Sequence, residues 1–328
     1  MGGGRRAVEP DLGRRARVDE RKAACSVSIV HPRLRGMLGG ADLHLHSRHS
    51  DGTLPPARLM ELCAGQGLEA ASLTDHDTVS GVAEALEAGR RLGIRVLSGV
   101  ELSAEFRGHE VHLLGYGFDP GDPALLSALE DHRREREQRA ERIVARLNQL
   151  GVPLRLEQVF EAADGGVLGR PHLADALLRS GLVSSFQGAF ERYLNPGCPA
   201  FVSRIRFSLD QARQLIEGAG GLLVLAHPHL NLSSANIRLL AEEGIGGLET
   251  VHPGLKPSQS RELEELADRL GIPATGGSDC HGPGRGPMCL GSLRVPPETV
   301  DRIEAALRGI ERRRARAMAG AACSRGER

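Results

Sequence analysis

Thirteen histidines stand in this 328-residue chain, and most of them fall where an apolar run ends. His44 and His46, in Asp42-Leu43-His44-Leu45-His46, are two residues apart. On a strand both imidazoles would face the same side. Two neutral imidazoles converging at a strand end make a metal-binding geometry. Asp51, one short loop later, can fold back to that face. Further endings of the same kind are His76 in Leu73-Thr74-Asp75-His76-Asp77, Glu101 in Gly99-Val100-Glu101, and His112. Downstream come Arg170 and His172 in Gly169-Arg170-Pro171-His172, then His227, His252, and the pair Asp279 and His281 around Cys280. Asp279 and His281 would again share one face, with Cys280 turned the other way into the core.

So many His, Asp and Glu side chains exceed what one ion needs, so two or three divalent ions are expected. Without a convincing Cys ligand the set suits Zn²⁺, Mn²⁺ or Fe²⁺ and argues against a thiolate structural zinc. Paired ions about 3.5–4 Å apart activate a water and clamp a tetrahedral oxyanion, so the reaction expected is hydrolysis.

The elements that must position these groups repeat. Seven short apolar runs (41–46, 69–75, 94–101, 110–116, 222–227, 247–252 and 273–279) end in metal-capable residues or, in 110–116, carry one inside as His112. Amphipathic helices are expected at 55–66, 78–92 and 257–270. Alternating βα units imply a mainly parallel sheet, and polar groups recurring at strand ends imply a βα-barrel. The barrel is expected over 41–119 and 206–295, followed by a C-terminal helix and tail at 296–328. Between 120 and 205 the period breaks into a small helical insertion. Its first helix carries Leu125, Leu129, Ile143, Val144, Leu147 and Leu150 around the charged stretch 131–142. The pairs Glu130/Arg134 and Glu135/Arg139 suggest a solvated helix face there. Residues 1–40, rich in Arg and Gly, read as a disordered tail, with Met37 a candidate start.

Composition excludes several classes. Lys+Arg and Asp+Glu both total 42, a balance that argues against wrapping long nucleic acid or lying on an anionic membrane. No apolar run approaches the roughly 18 residues of a membrane helix. Six cysteines without a C-x-x-C pair read as reduced thiols in a cytoplasm, and no secretory signal is evident.

Taken in order, D-L-H-L-H-S…S-D-G, L-T-D-H-D-T, G-V-E-L-S, V-H-L-L-G-Y, G-R-P-H, A-H-P and G-G-S-D-C-H-G resemble the polymerase-and-histidinol-phosphatase (PHP) family. The branch they resemble is that of bacterial nucleoside 3',5'-bisphosphate phosphatases and 5'-to-3' exoribonucleases of the RNase AM type. The resemblance runs from about Ala41 to Gly291. It implies an α/β fold, a distorted seven-stranded (β/α) barrel with a trinuclear site and the small helical insertion. By the same resemblance His44, His46, Glu101 and Asp279 would hold one ion, and Asp51, His76 and His281 a second. Glu101 would bridge to a third completed by His112 and His227, with His172 a competing candidate. Water would attack phosphorus in line while Arg170 grips the phosphoryl oxygens. His172 and His252 would bind a second phosphate or protonate the leaving oxygen, unless they only pack. The implied substrates are nucleoside bisphosphates or short RNA.

The chain also departs from the family. His49 stands where the group has a small residue and reads as an exposed loop residue, and Thr250-Val251-His252 lacks a tyrosine suited to base stacking. Competing readings are a phosphatase of histidinol-phosphate type, an amidohydrolase and a non-catalytic metal-binding module. The amidohydrolase reading is disfavoured because the only lysines, Lys22 and Lys256, lie outside strand ends.

Overall fold

The seven apolar runs become the staves of one nearly closed barrel in the computed structural model of the chain, which describes residues 39–285 and 289–325, with side chains through residue 315. The expected tail at 1–40, Met37 included, lies outside the described residues except for Gly39 and Gly40. The barrel strands are β1 (Ala41–Leu45), β2 (Ala70–Leu73), β3 (Arg95–Phe106), β4 (His109–Tyr116), β6 (Leu222–Leu225), β7 (Gly247–Val251) and β8 (Ala274–Gly276), adjacent in that order. A two-residue strand, β5 (Phe207–Ser208), pairs with β3 off this path. Helices α1 (Pro56–Gly65), α2 (Val82–Leu92), α7 (Leu209–Gly218), α8 (Ser234–Glu242) and α9 (Pro257–Leu270) connect or flank the strands.

One unit departs from the expected βα repeat. β3 does not end at Glu101 but runs on to Phe106 and turns back into β4, which is antiparallel to both β3 and β6. Arg107 and Gly108 at the turn both have positive φ (51° and 79°), the twist that a two-residue hairpin requires. Glu101 and His112 therefore stand within strands rather than at strand ends.

The barrel closes between β1 and the chain leaving β8. The Asp279 N–H donates to the His44 carbonyl (2.9 Å), and the His46 N–H donates to the Cys280 carbonyl (3.1 Å). This seam joins residues more than 230 positions apart and sets two of the histidines beside Asp279. Cys280 turns away from the seam and is buried among Leu45, Leu59, Cys63 and Leu73. At the opposite end of the barrel, α10 (Glu298–Arg325) packs Val300, Ile303 and Ile310 against Ala41, Tyr116 and Leu222.

Helices α3 (Pro123–Gln149), α4 (Leu156–Ala163), α5 (Arg170–Arg179) and α6 (Phe186–Ala189) stand to one side, followed by a π-helical turn at Phe190–Leu194. The Asp122 carboxylate caps α3 by accepting the Ala124 and Leu125 N–H groups. At about 1.5 Å per residue, α3 is about 40 Å long and spans two cores. Leu125 and Leu129 pack on the barrel, while Ala140, Ile143 and Leu147 belong to a second apolar cluster with Leu173, Leu177 and Tyr193.

The middle of α3 corrects the solvated-face reading. The stripe 125, 129, 132, 136, 139, 143, 147 follows the helical repeat, and it carries Arg136 and Arg139 inward, 8% and 6% exposed. Arg134 pairs with Glu130 as expected (3.3 Å), but Arg139 does not pair with Glu135; its Nε donates to the Val202 carbonyl.

Candidate metal centre and its arginine wall

At the mouth where β1, β2, β6, β7 and β8 end, the fold brings together all nine predicted ligand side chains. His44 Nε2 lies 3.1 Å from His46 Nε2, 3.3 Å from Glu101 Oε2 and 3.4 Å from Asp279 Oδ1. His46 Nε2 is 3.2 Å from Glu101 Oε2 and 3.1 Å from Asp279 Oδ1. Beside this group, Asp51 Oδ1 is 3.3 Å from His281 Nε2 and 4.0 Å from both His46 Nδ1 and His76 Nε2. The other face of Glu101 is used too. Its Oε1 lies 2.7 Å from His112 Nδ1 and 3.1 Å from His227 Nε2, while Oε2 is 3.1 Å from His76 Nδ1.

The local chain geometry that achieves this is tightly held. The loop after His46 folds back because the Asp75 carboxylate accepts the Ser47 N–H, the Ser47 hydroxyl and the Ser50 hydroxyl, all within 2.7 Å. Three non-glycine residues at the mouth, Asp77, His227 and Asp279, have positive φ (50°, 27° and 50°). Such strain persists only where the surroundings over-determine it. Gly277 permits the seam: a Cβ there would meet the His44 amide nitrogen at 2.4 Å.

The donor set fits divalent cations. His46 Nδ1, Asp51 Oδ1, His76 Nδ1 and His112 Nδ1 are buried with no hydrogen-bond partner, although facing nitrogens and oxygens crowd around them. Lone pairs gathered in this way need a proton or a cation between them. Among the described residues, groups able to hold an ion are His44/His46/Asp279, His46/Asp51/His76/His281, His44/Glu101/His227, His76/Glu101/His112 and, deeper in the barrel wall, His44/Glu249/His252. Without metal, protons serve instead. Burial alone would lower the His281 pKa, but Asp51 holds it up to about 10. Against the same penalty, Glu101 holds His112 at about 9. His76, where burial prevails, falls to about 3.

Four further residues stand around or apart from this centre. His252 lies against the centre: its Nδ1 accepts the Gly254 N–H (3.0 Å), which leaves Nε2–H to donate to Asp279 Oδ2 (3.2 Å). His172 does not approach Glu101; it is buried at the start of α5, where its Nδ1 accepts the Gly169 N–H (3.0 Å). Among the described residues it belongs to none of the metal-capable groups. Glu249, which the sequence reading passed over, accepts the His44 Nδ1–H (2.9 Å) and the His227 N–H (2.7 Å). The signal was a lone carboxylate within the apolar run Gly247-Leu248-Glu249-Thr250-Val251. His49, expected to be exposed, is half-buried, with Nδ1 2.9 Å from the Ser80 hydroxyl.

Against this centre lies a cleft of about 140 Å³ lined by Asp51, His76, His112 and the guanidinium groups of Arg136, Arg139, Arg170 and Arg204. Arg136 is paired with Asp77 and Arg204 with Glu110. Among the described residues Arg139 and Arg170 have no carboxylate partner. Burial and the neighbouring Arg170, Arg204 and Arg136 lower the Arg139 pKa to about 9. Two uncompensated cations beside a metal centre suit a dianionic ligand.

A family model described as PHP domain matches residues 42–157, and one described as PHP-associated matches residues 257–285. The 3',5'-nucleoside bisphosphate phosphatase of Chromobacterium violaceum is 36% identical over 270 residues, 79% of this chain and 94% of that protein. The 5'-3' exoribonuclease of Haemophilus influenzae is 35% identical over 247 residues, 74% of this chain and 90% of that protein. A solved structure of a metal-dependent phosphoesterase from Bifidobacterium adolescentis superposes with a TM-score of 0.75 at 32% identity, over 82% of this chain and 96% of that one.

Proposed function

The chain belongs to the PHP family, and on that premise we propose that it is a metal-dependent phosphoesterase that removes the 3'-phosphate of nucleoside 3',5'-bisphosphates and shortens small RNAs from their 5' ends. The observation that carries this reading is the cleft itself, a pair of unmatched guanidinium groups facing the carboxylates and imidazoles of the centre. A phosphate monoester brings the two negative charges that this arrangement lacks. The reading further takes 120–205 as an insertion mounted on the barrel (41–119 and 206–295), with a cytoplasmic location. The four cysteines with described side chains form no disulfide. Among the described residues no helix is long and apolar enough to cross a membrane.

In this reading two or three divalent ions (Mn²⁺, Zn²⁺ or Fe²⁺) are held by His44, His46, Glu101 and Asp279, by Asp51, His76 and His281, and by Glu101 with His112 and His227. Bound there, such ions supply an activated water and neutralise phosphoryl oxygens. The protein supplies the rest. Arg170, at the first turn of α5, grips the phosphoryl oxygens, and Arg139 adds charge from the α3 side. Glu249 fixes the His44 tautomer so that Nε2 faces the centre. His252 orients Asp279 through its Nε2–H. His172 organises the turn that carries Arg170.

The test is phosphate release from adenosine 3',5'-bisphosphate by Mn²⁺-loaded protein, with and without chelator. Chelator-sensitive loss of the 3'-phosphate is expected, and 5'-phosphorylated RNA of two to five nucleotides should then be shortened. Metal bound in full with no release from either substrate would overturn the proposal.

A further inference from the structure

Resting on the reading of Arg170 as the phosphoryl grip, we propose that Arg136 is the positioning residue that sets Arg170 against the metal-facing end of β2, by bridging the Leu168 carbonyl to the Asp77 carboxylate. The Arg136 guanidinium uses each of its nitrogens. Nε donates to Asp77 Oδ2 (3.0 Å), and Nη2 donates to the same oxygen and to the Ser103 hydroxyl (3.2 Å). Nη1 donates to the Leu168 carbonyl (2.9 Å), two residues before Arg170.

The far end of this bridge cannot drift. Asp77 follows the metal-facing His76 and holds a left-handed backbone (φ 50°). Its Oδ1 accepts the Ser103 N–H (2.7 Å), and its own N–H donates to the Glu101 carbonyl (2.9 Å). Asp77 is thus clamped to β3 on both sides of Leu102, at the level of the bridging carboxylate Glu101. One planar fork with fixed angles therefore joins the segment that delivers Arg170 to the peptides that deliver His76 and Glu101. A lysine keeps the charge but offers one nitrogen in place of three, so it loses the fixed spacing between the Asp77 and Leu168 contacts.

The engagement of Arg136 separates it from its neighbours. Although it lines the cleft, Arg136 has four of its five N–H donors committed to Asp77, Ser103 and Leu168. The unmatched Arg139 and Arg170 are the ones left to face an anion. A displacement of about 1 Å between two groups that share one substrate can cost up to about a hundredfold in rate, so the rigidity of this bridge has functional weight.

The experiment measures inorganic phosphate binding to the Mn²⁺-loaded full chain by calorimetry, for wild type, Arg136→Lys, Arg170→Ala and the double variant. Arg136→Lys should retain its manganese and bind phosphate at least about tenfold more weakly, with kcat/KM falling in parallel. In the Arg170→Ala background the same substitution should change binding less than about twofold, because the group it positions is gone. An equal loss in both backgrounds, or no loss in either, overturns the proposal. Should Arg136→Lys not fold, Asp77→Asn weakens the same bridge and carries the same expected coupling. A wild type that binds phosphate yet hydrolyses no phosphoester refutes the proposed function and leaves this inference standing. Turnover by wild type with an unaffected Arg136→Lys does the reverse.

Discussion

Glu249 holds His44 by its Nδ1–H at 2.9 Å, and this single contact decides which ring nitrogen of His44 faces the metal centre. The second carboxylate oxygen accepts the His227 N–H, so one buried acid orients residues from β1 and from the end of β6. Glu249→Gln keeps the shape and removes the charge. Metal affinity should fall about ten- to a hundredfold, the range expected for losing a carboxylate that backs a ligating histidine. Competition against a chromophoric chelator measures this, and unchanged affinity would remove Glu249 from that role.

Metal and protons should compete for the centre. Asp51 and Glu101 outweigh burial to hold His281 near pKa 10 and His112 near 9, so both are protonated in the metal-free protein at neutral pH. For a raised histidine the stabilisation is complete below its ordinary value of about 6.5 and is lost as pH rises through the folded value. The metal-free fold should therefore lose this contribution progressively between about pH 6.5 and 10. Ions must displace these protons, so Mn²⁺ added in weak buffer at pH 7 should acidify the solution, and affinity should rise from pH 6 to 8.5. Affinity independent of pH would contradict the assignment.

Arg170→Ala should raise KM for adenosine 3',5'-bisphosphate severalfold or more and leave the bound metal count unchanged. Inhibition by free phosphate should weaken in the same proportion. Steady-state kinetics with metal analysis on the same preparation checks both, and loss of metal in this variant would contradict a role confined to the phosphoryl oxygens.

The Arg136–Asp77 pair should appear in acid stability. Burial would raise the Asp77 carboxyl, but Arg136, Arg204 and the Ser103 N–H hold it well below the usual range. A depressed carboxylate stabilises the fold above its ordinary value near 3.8, and that stability is lost as pH falls toward the folded value. Wild type should thus lose melting temperature steeply below about pH 4. Asp77→Asn, which leaves a buried guanidinium unpaired, should cost about 3 kcal/mol at pH 7 and still fold. Its melting curve should be flatter below pH 4. Parallel curves for the two proteins would show that Asp77 does not contribute in this way.

Much of this molecule could be read in the order of its residues. Each barrel strand grows from one of the apolar runs, and the period of two put His44 beside His46; Asp279 and His281 meet beyond the end of β8, where Asp279 is left-handed, with Cys280 turned into the core. Periodicity also contained Arg136 and Arg139, on the stripe that runs from Leu125 to Leu147. A run of charges hid them, because a charged helix segment is usually a solvated one. Glu249 was legible only as a polar residue out of place in an apolar strand.

Sequence alone determined which residues share a face within one element, because strand and helix periods are local properties of the backbone. Tertiary structure decided which faces meet. The seam between His44 and Asp279 and the hairpin that turns His112 toward Glu101 join segments through hydrogen bonds that no spacing encodes. The tertiary structure likewise sets His227, and not His172, beside Glu101. His227 reaches the carboxylate at 3.1 Å from the end of β6, whereas His172 is held by the Gly169 N–H within its own helix turn. A ligand is a side chain with lone pairs; a site is several of them held within about 3 Å, and that distance is a property of the closed barrel.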